Sequence, residues 1–146
     1  MDGFMTEEEN SSFFSKILLP VADPEDAKET CELAIPIIKS SNVEAVALFI
    51  VLTKKPTIAQ QKLIANETLS FMKKEFEKNG IPLTCKTDYG RNVVKVMIEE
   101  SEKEKVDAII IRPRIASRLT KFFAGDVLEI LVEKSKVPIV ILPHDR

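Results

Sequence analysis

Hydrophobic and polar positions follow two distinct rhythms along this chain. Four short runs, "SKILLPV" (15–21), "VEAVALFIV" (43–51), "VDAIIIR" (106–112) and "VPIVILP" (137–143), are apolar nearly throughout. Such runs fit strands covered on both faces, as in a parallel sheet. A fifth segment, "IPLTCKTDYG" (81–90), alternates apolar with polar residues. It predicts a strand with one wetter face, nearer a sheet edge.

A helical period fills the intervals. In "DPEDAKETCELAIPIIKSSN" (23–42), Asp23 is expected to cap a helix, with Pro24 at its first position, where the missing N–H costs nothing. Ala27, Cys31, Ala34 and Ile38 then make one apolar stripe, and Pro36 is expected to kink the helix or tighten its last turn. Residues 56–80 predict a long helix with Ile58, Ala65, Leu69, Met72 and Phe76 on one face, stopped by Gly80. "NVVKVMIEESEKEK" (92–105) predicts a third helix and residues 120–135 a fourth. Strict β-α alternation of this kind predicts a doubly wound α/β domain: a parallel sheet with right-handed crossovers and helices on both faces.

At 146 residues the chain fits one domain with a substantial core, and no linker divides it. Residues 13–146 are assigned to that domain. The acidic start "MDGFMTEEENSS" (1–12) lacks the apolar core of a secretory signal and is expected to be a flexible extension. A net charge of −2 gives no global attraction to nucleic acid or anionic membrane. No apolar run is long enough to span a bilayer, so no membrane is expected as a partner. Cys31 and Cys85 fall in apolar-periodic segments without CxxC or Cys/His spacing, which fits buried thiols in a reducing, cytoplasmic compartment.

Candidate chemistry is sparse. No metal site is expected, because His144 is the one histidine and lies in the C-terminal tail. Asp23, Glu25 and Asp26 could suggest Mg²⁺, but a cap and an acidic first helical turn explain them more simply. Ser117 lies in "IASRL", which is no nucleophile elbow, and no internal histidine could serve it. No catalytic residues are assigned, and the chain is expected not to be an enzyme. The clearest local charge is the basic run 112–121, with Arg112, Arg114, Arg118 and Lys121 and no acid. It lacks interleaved aromatics for base stacking, and nucleic acid is not expected as a partner.

The ordered set of segments resembles the universal stress protein family. "KILLPV" is similar to the family's opening strand, "YGRNVVKVMIEE" to its Gly-containing turn into an apolar helix, "VDAIII" to its fourth strand and "KVPIVIL" to its last. The resemblance implies five parallel strands in the order 3-2-1-4-5 and a role in stress response. It also implies, for the ATP-binding branch, a G-x2-G-x9-G-S/T signature after the fourth strand. Here that reads Arg112-x2-Ile115-x9-Gly125-Asp126: the spacing is kept, but three of the four residues are not. The adenosine-contacting Asp after the first strand maps to Ala22, with Asp23 one residue late.

The substitutions have physical consequences. Glycines let backbone amides approach phosphates, whereas Arg112 and Ile115 bring Cβ atoms and bulk into that space. Asp126 offers only acceptors and adds negative charge at a helix N-terminus, where it also suits the helix dipole. Arg112, at the end of a strand, is placed to pair with Asp126, so that the phosphate site is filled from inside. Two functions stay open. One is a non-catalytic regulatory or interaction module without ATP or another cofactor, possessing an unidentified protein partner or none beyond itself. The other is a nucleotide or anion binder that holds ATP or AMP with Arg112 and Arg114, since arginine forks can replace an amide nest. In either case the last strand is too apolar for a bare edge. The resemblance implies a homodimer formed by pairing it through Val137, Ile139, Val140, Ile141 and Leu142.

Overall fold

The computed structural model of the protein describes residues 14–112 and 126–142. Its elements follow in the order β1 (Lys16–Val21), α1 (Pro24–Lys39), β2 (Glu44–Leu52), α2 (Ile58–Lys78), β3 (Leu83–Gly90), α3 (Val93–Lys103), β4 (Ala108–Ile111), α4 (Asp126–Lys134) and β5 (Ile139–Ile141). The five strands form one parallel sheet in the order β3-β2-β1-β4-β5. Residues 1–13, 113–125 and 143–146 lie outside the described residues.

Alternation along the buried strands feeds two cores. Ile17, Leu19, Ala47 and Phe49 join the cluster beneath α1 and α2, whereas Leu18, Val46, Leu48 and Ile109 join the cluster beneath α3 and α4. This explains why β2 has no polar position between Ala45 and Leu52: each face of the strand meets a helical layer. The stripe expected on the first helix is buried at Ala27, Cys31, Ala34 and Ile38, and Pro36 is tolerated on its exposed side in a helix that runs on to Lys39.

Local devices stop and join these elements. Gly80 adopts φ +70°, the left-handed backbone that glycine enters without steric cost, and its N–H reaches Glu77 O just past α2. Gln61 splints α2 to the end of β2, its amide accepting from Leu52 N at 2.8 Å and donating to Leu52 O at 3.1 Å. Asp107 accepts from Ser15 N, Ser15 Oγ and Lys16 N, which ties the start of β1 to β4 and holds the Asp107 carboxyl below the usual aspartate range.

Gly90 sets the approach of α3 to the sheet. A Cβ built at this position would lie 2.5 Å from Val96 Cγ2, too close for any real contact, and Val96 is buried with little freedom to move. Gly90→Ala is therefore expected to destabilise the fold by about 1–3 kcal/mol in urea unfolding. Val96→Ala in the same chain should remove the overpacking part of that loss. An Ala variant as stable as the wild type would show that the helix can slide.

β3 is the half-wet edge strand that the sequence pattern predicts. On the α3 face, Lys86 bridges Glu100 and Glu104 at 2.8 Å each, and Lys16 reaches Glu104 at 3.1 Å. Burial and the neighbouring Asp88 carboxyl raise the Glu100 pKa, while Lys86 opposes the shift.

The other edge differs from expectation in length. β5 covers Ile139–Ile141 rather than 137–143, and its residues pair with Ile109, Ile110 and Ile111 of β4. Ile141 is 50 % exposed, whereas Leu142 is 3 % exposed and belongs to the core beneath α1 and α2. Leu142 thus serves the fold of its own chain.

Candidate functional site

In this topology β1 leads by α1 to β2 on one side, while α3 carries the chain across to β4 on the other. The crevice outside the C-terminal ends of β1 and β4 is the switch point, where doubly wound sheets bind ligands. The paired residues of these strands are Ile17 with Ala108 and Leu18 with Ile109. β1 continues through Pro20 to Val21 and β4 ends at Ile111. Ala22 and Asp23 leave one strand at this point, and Arg112 leaves the other.

The first turn of α1 supplies the remaining groups. Asp23 caps the helix, its Oδ1 accepting from Asp26 N at 2.7 Å. Asp26 turns inward and is 2 % exposed. Its Oδ2 accepts from Ala22 N at 3.0 Å, and its Oδ1 accepts from Arg112 Nη1 at 2.8 Å. Glu29, one helical turn on, forms an ion pair with Arg112 Nη2. That contact lacks hydrogen-bond geometry: Arg112 Nε and Nη2, both buried, make no hydrogen bond among the described residues.

Arg112 is 1 % exposed and is the largest fully buried side chain among the described residues. Burial pushes the Asp26 carboxyl above the ordinary aspartate value, while the Ala22 N–H and the Arg112 guanidinium pull it back. The carboxylate survives burial because two donors hold it. One cation thus faces Asp26 and Glu29, with Asp23 close enough to Asp26 to raise its pKa further.

Sequence reasoning placed Ala22, Asp23 and Arg112 here, and the structure brings them together through Asp26. The partners of Arg112 in the structure are Asp26 and Glu29. Arg114, Ile115 and Gly125 lie outside the described residues, as does the side chain of Asp126, the first residue of α4. The expected Arg112–Asp126 pair therefore falls outside them too. Sequence reasoning treated Asp26 as an ordinary acid of a first turn. The available signal is its spacing: Asp26 and Thr30 lie eight and four residues before Ala34 of the apolar stripe, and all three are buried.

Near this end of the sheet, a pocket of about 100 Å³ is lined by residues including Lys54, Arg91, Asn92, Val127 and Ile130. Asn92 spends its side chain capping α3, accepting from Lys95 N at 3.0 Å. Small-molecule sites usually enclose about 300–1,000 Å³, and this pocket is smaller than that range. Among the described residues, no group of three or more His, Cys, Asp or Glu side chains is arranged to hold a metal ion. No described helix is long and apolar enough to cross a membrane.

A five-stranded parallel sheet in the order 3-2-1-4-5, with four described helices, defines a doubly wound α/β protein of the stress-protein type. The family model for the universal stress protein family matches residues 13–143, and the chain belongs to that family. A universal stress protein from Archaeoglobus fulgidus superposes with a TM-score of 0.71 at 16% identity, covering 92% of this chain and 98% of the other. Another structure from that organism, in complex with dAMP, gives 0.68 at 16% identity over 88% of this chain and 98% of the other. A family protein from Arabidopsis thaliana with AMP bound gives 0.65 at 14% identity over 90% and 92%. At these identities the likeness is one of fold. A search of curated protein sequences returns no match.

Proposed function

We propose that the chain is a non-catalytic regulatory or interaction module of the stress response, that it acts as a homodimer joined at β5, and that it does not bind ATP. The observation that carries the nucleotide part is the buried Arg112–Asp26 pair at the switch point. An incoming triphosphate would meet carboxylates already holding the buried Arg112 cation, in a low-dielectric setting that magnifies their repulsion. Asp23, Asp26 and Glu29 have capping or ion-pairing duties, which argues for a structural role over acid–base chemistry. A protein partner suits such a module, and the net charge of −2 offers nothing to nucleic acid or an anionic membrane.

Cytoplasmic location is supported by the cysteines. Both are free, and burial with nearby carboxylates pushes the Cys31 thiol up to about 12, so it stays protonated and inert at neutral pH.

The second reading, a nucleotide or anion binder using Arg112 and Arg114, is favoured by the dAMP and AMP held in the solved relatives. It requires Arg112 to release Asp26 first. Titration calorimetry with Mg-ATP and with AMP separates the two. No saturable heat is expected below about 1 mM nucleotide, a limit of roughly −4 kcal/mol in binding free energy. Low-micromolar binding of either would replace the first reading with the second.

A further inference from the structure

The Asp26 carboxylate does more than neutralise a buried cation. Through Oδ2 it takes the backbone N–H of Ala22, at the end of β1, and through Oδ1 the guanidinium of Arg112, at the end of β4. One oxyanion thus bridges the two lips of the switch-point crevice. A free oxyanion bound there would use the same donors: a backbone amide on one side and an arginine on the other.

Arg112 has further capacity. Its Nε and Nη2 are buried without hydrogen bonds among the described residues, and Nη2 is ion-paired with Glu29. These two nitrogens form the side-on edge of the guanidinium, the edge that receives carboxylates and phosphates in pairs. With Nη2 ion-paired to Glu29, Nε is the buried donor on that edge with no partner among the described residues, on a side chain 1 % exposed and held in place by the fold around it.

We propose that Asp26 is a tethered oxyanion which keeps a latent site for small free oxyanions closed, and that Arg112 with the Ala22 amide forms that site. The proposal deepens the reading in which the crevice is filled by the chain itself, and rests on it. It makes Asp26 a specificity-determining residue. Two of the three signature glycines are replaced in the sequence, and the resident carboxylate denies Arg112 Nη1 to other anions. The ligand class is a small oxyanion, either a carboxylate such as formate or inorganic phosphate. Formate reproduces the deleted side-chain group, and phosphate tests whether the crevice admits a tetrahedral anion.

The test uses the full chain with Asp26→Ala, and thermal unfolding is followed in chloride, formate or phosphate at constant ionic strength. Binding to the folded state alone raises Tm with anion concentration. A saturable rise of a few degrees by about 100 mM formate is expected for the variant and none for the wild type. If Asp26→Ala is unfolded in chloride, formate should restore the folded spectrum. Asp26→Asn, which keeps the side-chain volume, tests the guanidinium edge alone and should give a smaller rise. Asp26→Ala with Arg112→Met should lose the response. Responses to formate and phosphate together would place both classes in the site, and formate alone would restrict it to carboxylates. The proposal is overturned if neither single variant responds, or if the wild type or the Arg112→Met double variant responds equally. Nucleotide binding by the wild type would instead remove the functional reading on which the proposal rests, and calorimetry reports that separately.

Discussion

Arg112→Ala is expected to cost about 3–5 kcal/mol of unfolding free energy, the usual penalty for leaving a buried charge without its partner. Asp26 would keep the Ala22 N–H but lose its cation, and the closely packed stem of Arg112 would leave a void. Replacing both partners should behave differently. Arg112→Met with Asp26→Leu puts apolar groups of similar size in the same space and should recover most of the loss. A double-mutant cycle with Arg112→Ala and Asp26→Ala isolates the pair, and its coupling should exceed the roughly 1 kcal/mol ceiling of exposed ion pairs. Urea unfolding provides the measurement. A single-variant cost below about 1 kcal/mol would place the pair in water and undo the filled crevice.

The second large effect concerns assembly. Sedimentation equilibrium at tens of micromolar should return about twice the chain mass of 16.4 kDa, and Ile141→Lys should bring the protein to monomer. Among the described residues no strand lies beside the outer edge of β5, and Ile141 is half exposed. Pairing two β5 edges across a two-fold axis would cover both, and a lysine in the seam would be stripped of water without a counter-charge. Leu142→Lys is the contrast. That side chain lies in the core of its own chain, so the substitution should unfold the protein rather than split a dimer. A monomeric wild type, or an Ile141→Lys dimer of undiminished affinity, would remove β5 from the assembly.

The sheet and its covering helices were legible because burial imposes a period, and a period survives in a bare sequence. β2, apolar from Ala45 to Leu52, announces helices on both faces, and β3 announces its place at an edge by alternation. The strand order came from the family resemblance, since local periodicity says nothing about which strands are neighbours. At the site, Arg112 was legible as a strand-end cation, but its partner was not. Asp26 is local to a helix turn in sequence and distant from Arg112 by 86 residues, and the side-by-side pairing of β1 with β4 brings them together. Asp26 in "DPEDA" resembles any acid near a helix N-terminus, where the dipole alone justifies it. β5 is shorter than its apolar run suggests, because apolar character continues at Val137 and Leu142, on either side of the three residues that pair with β4.

The charged network on β3 has a bearing on how many contacts this sheet can make. Lys86 and Asp88 stand on the α3 face of the open edge, with Glu100 and Glu104 close beside them. A strand added beside β3 would lower its own side chains onto these half-buried ions and shut out the water that partly solvates them. That edge is therefore fenced, and the proposed β5 pairing would leave the sheet a valence of one. A molecule with a single reactive edge forms pairs and then stops, so apolar β5 residues can remain outside the fold without seeding a fibre.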